Sequence, residues 1–264
     1  MLENVEQGLF WAATALYVVA WGWHFAGWKR GSVEYTGTAV GILWAGWLLH
    51  LGMVGLRWYR AEHVPMLSAF EFVTFFGLLV IGVFLLFAMK ERNQMLGVFL
   101  LPVGLLLMLY AAFMPKLVEP ELLIFDSLVL KLHILTTLIG YAAWTITFAA
   151  SVSFLYLDQT QKGNPRMFDQ MAYRGAFFAF CFLTLGIITG ALWSDKVFGQ
   201  LWFWDPKETW SFITWLIFMA YLHARYTLEW RGRRAAILAI VGFAALVFTY
   251  VGVDFLLPQI HGTR

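Results

Sequence analysis

The sequence predicts an all-α integral membrane protein of about eight transmembrane helices, with both termini on the non-cytoplasmic side. Three observations lead there. The chain is 61% hydrophobic and only 13% charged, where a soluble domain carries roughly 25% charged residues. Eight windows of about 20 mostly apolar residues can be placed along it, each long enough to cross a bilayer. What lies between them is too short for a separate soluble domain, so a single polytopic membrane domain over residues 1–264 is expected. Helix follows from the spanning itself, because an open chain in lipid satisfies its own backbone groups only as helix.

The first window, roughly Leu9–Trp28, ends in Trp28-Lys29-Arg30 with no small-residue cleavage site, so it reads as a retained span and not a signal peptide. The second runs Thr38–Leu56 between that basic pair and Arg57 and Arg60. The third, Ser68–Met89, and the fourth, Met95–Met114, flank Lys90 and Arg92. The fifth, Leu128–Leu155, is long enough to project past the bilayer or tilt strongly. The sixth, Gly175–Trp193, follows Lys162, Arg166 and Arg174; the seventh is Trp210–Arg225, and the eighth, Ala235–Leu257, follows Arg231, Arg233 and Arg234. Cys181 is the only cysteine and lies mid-span, which excludes disulfides, thiolate clusters and a dithiol redox pair. No nucleic-acid partner is expected.

Orientation follows from the basic residues. The loops holding Lys29, Lys90, Lys162 and the Arg231 cluster carry eleven Lys and Arg, against seven on the other side (Arg57, Arg60, Lys116, Lys131, Lys196, Lys207, Arg264). Acidic residues favour the second side. The positive-inside rule makes the first set cytoplasmic, and an even number of spans then puts both termini outside. Arg57 and Arg60 speak against this assignment.

One stretch is not explained by spanning: Leu201-Trp202-Phe203-Trp204-Asp205-Pro206-Lys207-Glu208-Thr209-Trp210, within an outer loop placed at 194–209. Trp202 and Trp204 alternate, so an extended loop would project both indoles to one side. Pro206 fixes its own φ and pushes Asp205 out of the helical region. Two coplanar indoles beside a carboxylate suit a flat, apolar, partly charged ligand. An aromatic belt at head-group level would produce the same composition.

Six histidines accompany this loop. His63, His133 and His261 fall on the outer side, where an interfacial imidazole is the ordinary reading. His133 and His261 also return to the same face as the indoles, and a porphyrin iron takes an axial imidazole on each face. His24, His50 and His223 lie within apolar windows, where an ionisable group is a functional candidate by default. Helical rise puts His223 roughly 20 Å, His24 roughly 22 Å and His50 roughly 10 Å below the outer face. Trans ligands of one iron lie only about 4 Å apart, so His223 cannot share an iron with His133 or His261. Iron near both implies two sites.

The run Trp202 to Trp210, continued by Trp215 and by Tyr221-Leu222-His223, resembles the tryptophan-rich haem-handling family, in its CcsA/ResC branch of system II cytochrome c biogenesis. Further likeness lies in His50 through Arg57 to Glu62-His63-Val64-Pro65 and Glu71, in Lys131-Leu132-His133 through Gly140-Tyr141-Ala142, and in Phe248 through Gly252-Val253-Asp254 to His261-Gly262. Phe198-Gly199 stands where the family has a Trp-Gly pair, and Asp254 where an amide residue is common.

The resemblance implies a haem-handling subunit of a cytochrome c synthase. It would bring haem b to the outer face for covalent attachment to the Cys-x-x-Cys-His motif of apocytochrome c. His133 and His261 would be the external iron ligands, acting with Asp205 at the reacting centre. Phe198, Trp202, Trp204, Trp210, Pro206, Lys207 and Glu208 would form the haem platform. His223 would ligate a transmembrane haem, with a second ligand from a ResB/CcsB-like membrane subunit, from His24 or from His50. Thiol-reducing thioredoxin-like proteins would be further partners, and the location a bacterial cytoplasmic or thylakoid membrane. A haem exporter, or a di-haem electron-transfer subunit, would need the same ligands.

Overall fold

Each of the eight apolar windows becomes a helix. The computed structural model describes residues 1–31, 34–91, 94–118, 125–161 and 163–256, and among these no strand occurs. The helices are α1 (Leu2–Arg30), α2 (Glu34–Ala61), α3 (Ala69–Glu91), α4 (Gln94–Ala112), α5 (Leu128–Thr160), α6 (Pro165–Phe198), α7 (Pro206–Tyr226) and α8 (Arg233–Val247). A π-helical turn, Phe248–Gly252, and a short α9, Val253–Leu256, continue α8. Among the described residues, seven helices are long and apolar enough to cross a membrane. The remaining one is α7, whose 21 residues rise about 31 Å; Lys207, Glu208, His223 and Arg225 dilute its apolar character.

The helices outrun the apolar windows. Helix α6 was expected over 175–193 but covers 34 residues. Asn164 caps its start by accepting from the Arg166 N–H, and Pro165 at the first helical position needs no donor partner. Its added turns carry Arg166, Asp169, Asp195 and Lys196, charges that a hydropathy window rejects but a helix tolerates outside the hydrocarbon. The chain divides into two compact units, Met1–Leu122 and Leu123–Arg264.

In the first unit α1 packs on α2 and α4, and α3 on α2 and α4. The buried stripe of α1 is Glu6, Phe10, Ala13, Tyr17, Ala20, His24 and Gly27, a spacing of alternating fours and threes. Trp11, Val18 and Val19 lie exposed on its other faces. Lipid is as apolar as leucine, so close packing and polar ties hold such helices together. Accordingly, the Trp21 indole donates to the Val98 carbonyl at 3.1 Å and the Trp47 indole to that of Leu78 at 2.9 Å.

The principal tie is Arg57, which is 1% exposed. Its Nε donates to Glu71 Oε1 at 2.9 Å, and Nη1 to Glu6 Oε1 at 3.2 Å and to the Lys116 carbonyl at 2.7 Å. Nη2 donates to the Leu117 carbonyl at 2.5 Å, and Arg60 also pairs with Glu6. Ser68 and Glu71 form a reciprocal capping box at the start of α3, each side chain accepting the other's N–H. One guanidinium therefore joins α1, α2, the cap of α3 and the segment after α4.

In the second unit α5 and α6 run along one another, with α8 against α5 and α7 between α6 and α8. Trp144, fully buried, stacks on Phe218 with centroids 3.4 Å apart and donates its indole N–H to the Ala239 carbonyl at 3.1 Å. It thereby fastens α5 to α7 and α8 with one side chain.

Removing one partner of a buried charge network leaves the other charges uncompensated, which costs about 3–5 kcal/mol. Arg57→Met should therefore lower the thermal unfolding midpoint of the purified chain sharply. Adding Glu6→Gln and Glu71→Gln should recover part of the loss. An unchanged midpoint in Arg57→Met would show the network to be passive.

Candidate functional site

The tryptophan-rich loop proper is residues 199–205, because α6 continues to Phe198 and α7 begins at Pro206. Gly199 ends α6 in the left-handed region (φ 72°), its N–H returning to the Asp195 carbonyl at 2.9 Å. Asp205 caps α7, with Oδ1 accepting the Glu208 N–H at 2.7 Å. Glu208 reaches back past the cap, and its Oε2 accepts the Phe203 N–H at 2.7 Å. Asp205, Pro206 and Glu208 thus form a rigid start to α7 that clamps the loop. Ser194 and Gln200 complete it, donating to the Gln200 and Trp202 carbonyls at 2.8 and 2.9 Å.

The two indoles are not coplanar. Trp204 adopts φ 58°, a conformation that costs a non-glycine residue strain, and this breaks the extended geometry the alternation implied. Trp202 and Trp204 meet edge to face, with centroids 6.0 Å apart and planes at 79°. Trp204 stands exposed while Trp202 is half-buried. The Trp202 Nε1 is buried with no hydrogen-bond partner among the described residues. Below them Phe212 meets Trp202 edge-on, and Phe212, Trp215 and Phe180 stack in turn. The rings form a ladder from the loop into the α6–α7 seam, anchored by Trp215 Nε1 donating to Thr184 Oγ1 at 2.8 Å.

Phe198 stands edge-on to both Trp193 and Phe203. Trp210 packs on Phe248 at 4.3 Å. Its carbonyl accepts from Thr249, whose hydroxyl also meets that of Thr214 at 2.8 Å. The π-helical turn is therefore fastened to the first turns of α7. Lys207 lies half-buried in the same first turn as Pro206 and Glu208.

His133 sits near the start of α5 and faces α6, its Nδ1 2.7 Å from the Gly186 carbonyl. A carbonyl only accepts, so Nδ1 donates to it, the contact that commonly orients a metal-ligating histidine. Gly190 makes the seat: a Cβ there would stand 2.7 Å from the ring nitrogen. Phe198 is about 12 Å of helical rise beyond Gly190 on the same helix, so His133 and the loop occupy one end of the unit.

His223 occupies the other end. It is exposed on α7, with Nδ1 3.3 Å from Thr227 Oγ1. Because α7 is uninterrupted from Pro206 to Tyr226, His223 lies roughly 20 Å of helical rise from Trp210. His24 and His50 belong to the first unit and are fully buried. The His24 ring fills the space beside Gly97. His50 Nδ1 meets the Tyr17 hydroxyl at 3.1 Å. His63, also buried, faces the Val64 carbonyl at 3.1 Å. His261 lies outside the described residues.

Two features escaped sequence reasoning. Gly186 and Gly190 seat the histidine, and their small-xxx-small spacing in an apolar run was the available signal. The capping by Asp205 and Glu208 was signalled by an acidic residue three positions after an acidic cap.

A protein-family model described as "Cytochrome C assembly protein" matches residues 66–261. Relatives named "Cytochrome c biogenesis protein CcsA" include one from Chlamydomonas reinhardtii, 34% identical over 81% of this chain and 65% of its own length. One from Gloeobacter violaceus is 29% identical over 99% of this chain and 94% of its own, and one from Mesostigma viride is 30% identical over 88% and 87%. The chain thus spans about two thirds of the Chlamydomonas relative. Among solved structures, a chain described as "Cytochrome c Heme Lyase CcmF" shares the fold, with a TM-score of 0.77, 19% identity, and coverage of 98% of this chain and 48% of that one. By the extent of these matches, the chain belongs to the cytochrome c assembly family.

Proposed function

We propose that this chain is the haem-handling subunit of a cytochrome c synthase, which brings haem b to the outer face of a bacterial cytoplasmic or thylakoid membrane. There it presents the haem to apocytochrome c. The observation that carries this reading is His133, whose Nδ1 is held 2.7 Å from the Gly186 carbonyl, the kind of contact that orients an iron-ligating imidazole, at the loop end of the unit. The relatives' names speak of cytochrome c biogenesis, and the structural neighbour's of a haem lyase.

The residues present fit a haem. Trp204 and Phe198 offer exposed aromatic surface, and the buried Trp202 indole N–H has a hydrogen bond still to give. Haem is the substrate, and His261 is the second external ligand. Attachment joins each cysteine sulfur to a haem vinyl carbon while the thiol proton goes to the neighbouring carbon. The chain's own part is to hold the porphyrin in place and shield it from water, so that thiol and vinyl meet in reacting geometry. Asp205 and Glu208 act by fixing the loop. The acceptor's own histidine displaces one external ligand, which releases the product.

His223 ligates a second, transmembrane haem from the opposite end of α7. A ResB/CcsB-like membrane subunit would supply the other residue that holds this haem, since His24 and His50 are fully buried inside the first unit. Thiol-reducing thioredoxin-like proteins keep the acceptor cysteines reduced. The arginine-rich end of the second unit faces the cytoplasm, and both termini lie outside. Arg57 and Arg60, the basic residues that oppose this orientation, are matched by Glu6 and Glu71 and so weigh little.

His133→Ala should leave the protein assembled but abolish haem attachment, with partial rescue by added imidazole. Gly190→Ala should push the ring aside and weaken haem binding about 10–100-fold, as loss of a ligand's supporting contact does. A wild-type haem spectrum in both variants would remove His133 from the site. Trp202→Ala and Trp204→Ala should each cost roughly 1–2 kcal/mol of haem affinity, more than Trp28→Ala or Trp230→Ala; equal losses in all four would favour a head-group belt. For orientation, a cysteine placed at Gly199 should label from outside and one at Gly232 from the cytoplasm, and the reverse pattern would invert the direction of transport.

A further inference from the structure

A cavity of about 890 Å³ opens at the end of the second unit away from the tryptophan loop. Four elements line it: the end of α5 through Phe154, the start of α6 through Arg166, Asp169 and Tyr173, the end of α7 through Arg225 and Tyr226, and the following loop through Glu229 and Arg231. Its size falls within the range of small-molecule sites, roughly 300–1,000 Å³.

The wall is built in advance. Arg225, whose side chain is 7% exposed, binds both oxygens of Asp169 at 2.6 and 2.9 Å and lies over the Tyr173 ring. Asp169 Oδ1 also accepts the Gly232 N–H at 2.9 Å. Its charge is thus matched before any ligand arrives. The loop is folded tightly back, with Glu229 and Gly232 at φ 51° and 67° and the Trp230 N–H returning to the Ala224 carbonyl at 2.9 Å. This shape holds Arg231 at the rim.

Arg166 and Arg231, both exposed, line the cavity without an ion pair among the described residues, opposed only by Glu229. Arg174, Arg233 and Arg234 add positive charge around the same helix ends. Three aromatic rings, those of Phe154, Tyr173 and Tyr226, provide the apolar part. The ends of α5 and α7 and the start of α6 meet here, and such helix ends lie at head-group level when their apolar stretches span the hydrocarbon. Arginine forks match phosphate oxygens in geometry as well as charge, and anionic lipids at the membrane surface attract such basic groups.

We propose that this cavity seats the phosphate head group of an anionic membrane lipid. The lipid ties the ends of α6, α7 and α8 together on the face opposite the haem platform, and the site is independent of the haem reading.

The test uses the full chain in dodecyl maltoside, stripped of lipid and titrated with phosphatidylglycerol, phosphatidylcholine, inorganic phosphate or haemin, with bound adducts read by native mass spectrometry. One phosphatidylglycerol should be retained in preference to phosphatidylcholine. The Arg166→Gln/Arg231→Gln variant should bind it about 30-fold more weakly, the effect of two arginines near a charged surface. Arg233→Gln/Arg234→Gln removes the same charge outside the cavity and should change binding far less. Equal loss in the two double variants would overturn the site in favour of diffuse attraction. Inorganic phosphate bound as tightly as the lipid would make the source a free anion, and haemin held by Arg166 and Arg231 in preference to phosphatidylglycerol would make the cavity a haem port. Either result would overturn the proposal.

Discussion

Main-chain groups inside a bilayer have no water to bond, and every break between helices must find its partners within the protein. The tryptophan loop is built around that constraint. Its reversal is closed by the Gly199 N–H, by the Asp205 and Glu208 carboxylates on main-chain N–H groups, and by Ser194 and Gln200 on carbonyls. With the polar needs met locally, the indoles are left available for the proposed haem contact. The strained backbone at Trp204 is held by the same clamp, which explains how an exposed indole can be held in one orientation. The carboxylate beside the indoles therefore acts on the backbone, which leaves the proposed ligand contacts to the rings and to His133.

The second constraint is helix approach. Where hydrophobic burial does not drive association, small residues let backbones close and polar side chains bridge them. Helix α6 uses Gly186 and Gly190 for both purposes, since one supplies the carbonyl that orients His133 and the other the space its ring occupies. Helix packing and the proposed iron ligand share one contact here, so a single methyl group is enough to disturb that ligand. Trp144 on Phe218 plays the purely structural counterpart deeper in the unit.

The helical membrane architecture was legible because bilayer thickness and apolar composition constrain it jointly. Helix ends were less so: α6 extends beyond its apolar window at both ends on the strength of the Asn164 and Gly199 caps, which hydropathy does not weigh. The character of α7 was also concealed, since its charged residues cap its start and pair with Asp169 near its end. In the tryptophan loop, alternation suggested parallel indoles where Trp204's left-handed backbone sets them edge to face. A sequence count of basic residues likewise treated Arg57 and Arg60 as free, although Glu6 and Glu71, distant in the chain, pair with them. Pairings of this range are not visible in a linear reading.

The central claim is that haem passes through this protein and leaves it covalently bound to another. The most direct measurement incubates the complex of this chain with its membrane partner, loaded with reduced haem, with a peptide carrying Cys-x-x-Cys-His. The account predicts a haem–peptide adduct that survives acid–acetone extraction, with a matching loss of haem from the complex. Haem that stays stoichiometrically on the complex while the peptide remains unmodified would contradict it and point to electron transfer instead.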